Sequence, residues 1–162
     1  MTKKKIQTVG VLGTGVIGSG WASLFAKEGM NVLLHDNRPE LMNKGRQRAS
    51  LNLDFLSEQG LINAQVCSEA KDRLLPAGDL ADFAARCDYI QESIAEDYEI
   101  KKSCYRQLDG LADPSILIGS STSGLLMTEI QKVMRTPQRA FIAHPFTPPH
   151  LVPLVELVPG NK

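Results

Sequence analysis

Apolar residues along the chain fall into short continuous blocks, separated by longer stretches where they recur every three or four positions. The first block, 6–12, is bounded by glycine and predicts a buried strand. Over 16–28, Val16, Gly20 and Leu24 step by four, as do Ile17, Trp21 and Phe25, which predicts a helix stopped at Gly29. The block 31–36 predicts a second strand. A long helix follows at 39–58 and ends before Gly60, then a helix at 63–73 and a short strand at 74–75. The alternation continues as helix 81–86, strand 89–92, helix 97–111, strand 116–119, helix 125–134, strand 140–143 and a last strand at 152–157. Ile100, Cys104, Leu108 and Leu111 form the expected apolar face of the helix at 97–111. This order predicts an α/β fold, a doubly wound, mainly parallel sheet with helices on both faces.

Composition narrows the function classes. The 162 residues suit one domain, 1–162, and an apolar share of 43% with 22% charged is that of a folded chain. Lys plus Arg and Asp plus Glu number 18 each, so the formal charge is zero and the basic field of a nucleic-acid binder is missing. No apolar run is long enough to span a membrane. Lys3, Lys4 and Lys5 precede an apolar stretch, as in a secretion signal, but Gly10, Gly13, Gly15, Gly18 and Gly20 break it. The basic tail is expected to be a solvated terminus. Cys67, Cys87 and Cys104 fit no zinc spacing and include no CxxC, so they are expected as reduced thiols in a cytoplasmic protein, with no metal.

The first crossover carries Gly13-Thr14-Gly15-Val16-Ile17-Gly18, a GxGxxG between a predicted strand and a predicted helix. In that setting Gly13 permits the tight turn, Gly15 lets a pyrophosphate approach the backbone, and Gly18 lets helix and strand pack closely. The pyrophosphate would sit on the positive end of the helix. Asp36 closes the second strand, where a carboxylate accepts hydrogen bonds from a ribose diol and repels a 2′-phosphate. The fold is therefore Rossmann-type and the expected cofactor is NAD rather than NADP, although Arg38 lies two residues on. His35 alternates with Asp36 in the strand and is expected to be structural.

A second cluster lies in the last 45 residues or so of the chain. Ser123 follows the strand at 116–119, His144 follows the strand at 140–143, and Glu156 lies in the last strand. Ligands of open parallel sheets sit beyond the carboxyl ends of the strands, so these three residues could converge on a nicotinamide. They could equally be a helix-capping serine, a turn histidine and a solvated glutamate.

These segments carry a resemblance. The GTGVIG loop, Asp36, QESIAED at 91–97, SSTSG at 120–124 and HPF…PLVELVP at the end together resemble the NAD-binding domain of the 3-hydroxyacyl-CoA dehydrogenase family, over nearly the whole chain. IQES, IGSSTSGLL and AHPF…LVPLVELV are similar to its L-carnitine dehydrogenase and L-gulonate 3-dehydrogenase (lambda-crystallin) branch. The resemblance implies a catalytic pair, His144 as general base with Glu156 twelve residues later, and Ser123 as the serine that touches substrate. It implies cofactor contacts from Glu96 and Lys101. Thr147 departs from the pattern, since an asparagine is usual there. The family's helical C-terminal domain is expected to be absent from this chain, and the full-length enzyme is expected to be a homodimer.

The implied reaction is NAD-dependent oxidation of the 3-hydroxy group of an L-3-hydroxyacyl-CoA, or of a 3-hydroxy acid such as L-carnitine, to the ketone. Histidine suits the base because an unperturbed imidazole titrates at about 6.5. Lys44, Arg46 and Arg48 could meet the phosphates of a CoA or simply form a solvated helix face. The alternative function is a freestanding or truncated NAD-binding module without turnover of its own.

Overall fold

The computed structural model describes residues 5–162; the tail at Lys3 and Lys4, expected to be solvated, lies outside them. Seven strands form one sheet. They are β1 (Thr8–Leu12), β2 (Asn31–His35), β3 (Leu74–Pro76), β4 (Tyr89–Glu92), β5 (Leu117–Ser120), β6 (Ala140–Pro145) and β7 (Val155–Pro159). The helices are α1 (Val16–Lys27), α2 (Pro39–Glu58), α3 (Ala64–Asp72), α4 (Leu80–Arg86), α5 (Tyr98–Leu111) and α6 (Met127–Ile130). The order across the sheet is β3-β2-β1-β4-β5-β6-β7, parallel except for the antiparallel β6–β7 pair. The chain winds outward from β1 to β3, then crosses back to β4. That reversal opens a crevice at the carboxyl ends of β1 and β4, where such sheets hold ligands.

Alternation along each strand divides the core between the two faces. Val32 and Leu34 of β2 pack with Trp21, Ala22, Leu53 and Ala70 from α1, α2 and α3. Leu33, between them, packs with Phe83, Tyr105 and Leu108 from α4 and α5 on the other face. Each of these leucines is fully buried, and such burial is worth about 1.5–3 kcal/mol per side chain. Asn63, Asp79 and Asp97 cap α3, α4 and α5 by accepting bonds from first-turn amides.

Four expectations are corrected. The buried stripe of α5 is Lys101, Tyr105, Leu108 and Asp109, while Ile100 and Leu111 are 50% and 43% exposed. A stripe read from apolar residues cannot include a lysine whose charge is neutralised inside the fold. The helix expected at 125–134 is a single turn, α6, continued by a 3-10 turn at Gln131–Val133. The last strand begins at Val155, because the chain turns at 149–151 and the Phe146 amide closes that loop on the Leu154 carbonyl. Val16, aligned with the apolar steps of α1, is 68% exposed at the first turn of the helix.

Asp109 ties the end of α5 to the approach to β6. It accepts hydrogen bonds from the Thr136 hydroxyl, the Arg135 amide and the buried Arg139 guanidinium, the last at 3.0 Å. Burial pulls its carboxyl upward, but these donors outweigh burial and hold it at about 2. Because the folded-state value is depressed, its stabilisation is present above the ordinary carboxylate range and disappears as pH falls through about 2. Asp109→Asn should therefore be less stable than the parent at neutral pH. That gap should narrow steadily below about pH 4 in urea unfolding measured across the acid range.

Candidate active site

The glycine loop follows β1 and is held there by the Gly13 amide donating to the His35 carbonyl at 2.9 Å. Gly13 has φ +86°, and a Cβ on it would strike the Ser93 carbonyl at 2.6 Å. A Cβ on Gly18 would lie 1.9 Å from the Gly13 oxygen, so α1 can approach the loop only with glycine there. Gly15 differs: beyond its own chain neighbours, a Cβ on it would meet no atom of a described residue within 4 Å and would project into open space. Gly15 also starts α1 with no side-chain cap, which leaves first-turn amides for an anion. Val16 is exposed beside it, and Ile17 is half-buried against the α1–α2 side of the core.

The loop borders a groove of about 840 Å³, walled by the ends of β1, β2 and β4 and by α5. Asp36 lies on its rim just past β2. One of its carboxylate oxygens accepts from the Thr14 amide at 2.8 Å and the Thr14 hydroxyl at 3.0 Å. The other makes no hydrogen bond with a described residue. Thr14 itself is buried, its hydroxyl turned to Asp36 and the Leu41 carbonyl rather than to the groove. His35 also lines the groove and leans on Phe83, with ring centroids 5.5 Å apart. The expected opposition of His35 and Asp36 ends because β2 stops at His35, so the alternation does not carry on to Asp36. An apolar wall, an open glycine, free amides and a rim carboxylate are the parts that a dinucleotide requires.

Under the groove lies a buried ion pair. Lys101 and Glu92 are 1% and 0% exposed, and Lys101 Nζ donates to Glu92 Oε1 at 2.6 Å. Glu92 also accepts from the Ser120 hydroxyl at 2.6 Å, the Ile94 amide at 2.8 Å and the Tyr105 hydroxyl at 3.4 Å. The same ammonium lies 3.6 Å from Glu96. Glu96 Oε1 accepts from the Thr122 hydroxyl at 2.5 Å and from the amides of Ser123 and Gly124 at 3.1 and 3.2 Å. Burial raises the Glu96 pKa, but these donors and the Lys101 charge outweigh it, and the net shift is downward. The loop that carries Ser123 is thus anchored, through Glu96 and Lys101, to the core of the sheet. Ser123 is exposed, and its hydroxyl makes no hydrogen bond with a described residue.

His144 stands opposite Glu156 in the β6–β7 register, and Nδ1 lies 3.0 Å from Glu156 Oε2. The strand extends two residues beyond its expected end, so His144 sits inside β6 rather than after it. The side chains are 31% and 58% exposed, and Nε2 makes no hydrogen bond with a described residue. No hydrogen bond joins Ser123 to this pair among the described residues. Thr147 is exposed in the loop between β6 and β7. Lys44, Arg46 and Arg48 are exposed on α2, and the Arg48 guanidinium donates to the Thr14 carbonyl at 3.5 Å and the Ser19 hydroxyl at 3.4 Å. The cysteines are free; burial pushes the Cys87 and Cys104 thiols up to about 12, far from a reactive thiolate. Among the described residues, no helix is long and apolar enough to cross a membrane.

Sequence reasoning missed Glu92, the residue on which the Lys101 ammonium rests. A glutamate ending an otherwise buried strand, followed nine residues later by a lysine on a helix, was the available signal.

Residues 8–162 match the family model described as 3-hydroxyacyl-CoA dehydrogenase, NAD binding domain. The L-carnitine dehydrogenase of Bacillus cereus is 38% identical over 161 residues, covering 99% of this chain and 48% of that protein. The L-carnitine dehydrogenase of Oceanobacillus iheyensis is 36% identical over 156 residues, covering 96% and 50%. Among solved structures, 3-hydroxybutyryl-CoA dehydrogenase from Escherichia coli superposes with a TM-score of 0.89 at 31% identity, over 95% of this chain and 32% of that one. The (S)-3-hydroxybutyryl-CoA dehydrogenase from Ralstonia eutropha does so with a TM-score of 0.91 at 29% identity, over 98% and 56%. The chain spans about half the length of the curated relatives it matches.

Proposed function

The chain belongs to the 3-hydroxyacyl-CoA dehydrogenase NAD-binding family, and from that premise we propose that it forms the cofactor and proton-transfer half of an NAD-dependent 3-hydroxy acid or 3-hydroxyacyl-CoA dehydrogenase. The observation that carries the reading is the His144–Glu156 pair at 3.0 Å, on the same sheet as the glycine-loop groove.

Gly13, Gly15 and Gly18, with the first-turn amides at Val16 and Ile17, would hold the pyrophosphate. Asp36, oriented by Thr14, would hold the adenosine ribose through its unengaged oxygen. Glu96 and Lys101 would stand behind the nicotinamide half. When bound, the dinucleotide supplies the hydride acceptor. His144 then has one task, to take the substrate hydroxyl proton on Nε2 and return it in the reverse direction. Glu156 accepts from Nδ1–H, which fixes the tautomer that leaves Nε2 with a lone pair and stabilises the imidazolium. Ser123 donates its free hydroxyl to the substrate oxygen.

The substrate is a secondary alcohol with the hydroxyl at carbon 3: L-carnitine by likeness to the curated relatives, an acyl-CoA by likeness to the solved structures. Following NADH absorbance with L-carnitine and with L-3-hydroxybutyryl-CoA, alongside NADH titration of the chain, tests the reading. Absence of NADH binding would refute it. Binding without turnover of either substrate supports the second reading, a cofactor module that turns over only with a further domain.

Asp36→Ala should weaken NADH binding about tenfold and narrow the preference for NADH over NADPH, since a charge-assisted bond and a repulsive charge are both removed. Fluorescence titration with the two reduced cofactors measures both effects. An unchanged NADH affinity would exclude Asp36 as the ribose carboxylate.

A further inference from the structure

The hydroxyl of Ser93 has a proton with no partner among the described residues, and the reason follows atom by atom from its neighbours. The side-chain nitrogen of buried Gln91 lies 3.2 Å from the Ala143 carbonyl oxygen. A carbonyl cannot donate, so the atom facing it must be the amide N–H₂, which fixes the orientation of the whole amide. The same nitrogen donates to Ser121 Oγ at 2.8 Å. Gln91 Oε1 is then an acceptor, and it takes the Tyr89 hydroxyl proton at 2.6 Å. Trp21 Nε1, which can only donate, reaches the same Ser121 oxygen at 3.1 Å.

Ser121 Oγ thus accepts twice and has used both lone pairs. Its own proton has one acceptor within reach among the described residues, Ser93 Oγ at 2.8 Å. Ser93 must therefore accept from Ser121, and its O–H must point elsewhere. Half-buried Ser93 lines the groove. Its amide donates to the Leu12 carbonyl at 2.7 Å, and its own carbonyl lies against Gly13, so it sits where β4 meets the glycine loop.

We propose that Ser93 is a hydrogen-bond donor to the bound dinucleotide, directed at an oxygen beyond its adenosine monophosphate part, on the nicotinamide-side phosphate or the nicotinamide ribose. The strand order selects that side. Asp36 follows β2 and Ser93 follows β4, with β1 between them, so the two lie about two strand spacings, roughly 10 Å, apart. An adenosine held at Asp36 leaves the β4 side to the rest of the molecule. The relay of Trp21, Gln91 and Ser121 aims this donor before any ligand arrives, so little ordering is needed on binding.

The proposal rests on the reading that the dinucleotide occupies this groove, and one experiment separates the two. NADH is titrated by fluorescence into the full chain, wild type and Ser93→Ala, and AMP is measured as a competitor in each. The expected result is NADH binding about five- to tenfold weaker in Ser93→Ala, with AMP affinity unchanged. Ser93→Gly, read the same way, replaces the alanine variant if that fails to fold. Wild type that does not bind NADH overturns the groove reading and the proposal with it. Wild type that binds, with a variant of equal NADH affinity, overturns the role of Ser93 alone. Equal losses of NADH and AMP affinity overturn it too, because they would reflect a general distortion of the groove.

Discussion

Replacing His144 by glutamine should slow turnover by about 10²–10⁴-fold in a protein that carries this domain and oxidises its substrate, with NADH affinity unchanged. Glutamine approximates the reach of imidazole but has no basic nitrogen to take the hydroxyl proton. The β6–β7 register sets His144 directly against Glu156, and the 3.0 Å contact occupies Nδ1, so the loss should fall on proton transfer at Nε2 and not on folding. Glu156→Gln should cost less, because the imidazole remains but its tautomer is no longer fixed. Steady-state turnover with NADH titration of each variant decides the matter. Near-normal turnover of His144→Gln with intact NADH binding would remove His144 from the proton-transfer role.

Lys101→Met should destabilise the chain by about 3–5 kcal/mol in urea unfolding. The reason is what remains behind. Glu92 is fully buried, and Lys101 is its ion-pair partner at 2.6 Å. Removing the ammonium leaves a carboxylate in the core with hydroxyl and amide donors but no countercharge. The double variant Lys101→Met with Glu92→Gln should recover most of the loss, since a buried pair replaced by neutral groups of similar size is close to neutral in cost. A single variant within about 1 kcal/mol of the parent would show that the pair carries no such charge balance. The double variant should still bind NADH more weakly. Glu96 would lose the ammonium at 3.6 Å that helps fix it against the amides of Ser123 and Gly124.

The limits of sequence reading follow the same physics. The glycine loop, Asp36 and the strand–helix alternation were legible because each depends on local requirements: a positive φ at Gly13, space at Gly15, a helix stop at Gly29. α2 and β4 were predicted at their observed bounds for the same reason. The α5 face was misread because burial of Lys101 depends on Glu92, nine residues away and on another element. Spacing gave His144 and Glu156 as a pair of uncertain meaning; resemblance gave them roles.

The sequence by itself determined the fold class and the glycine loop, because local backbone demands and hydrophobic period are written in neighbouring positions. Tertiary structure alone decided that β7 runs antiparallel and so brings Glu156 to the imidazole of His144. It also decided that Glu92 balances Lys101 beneath the site, and that the Trp21, Gln91 and Ser121 relay leaves Ser93 with a free proton. These are relations between side chains on different elements. Their energies depend on distance and on exclusion of water, and neither quantity exists until the chain has folded.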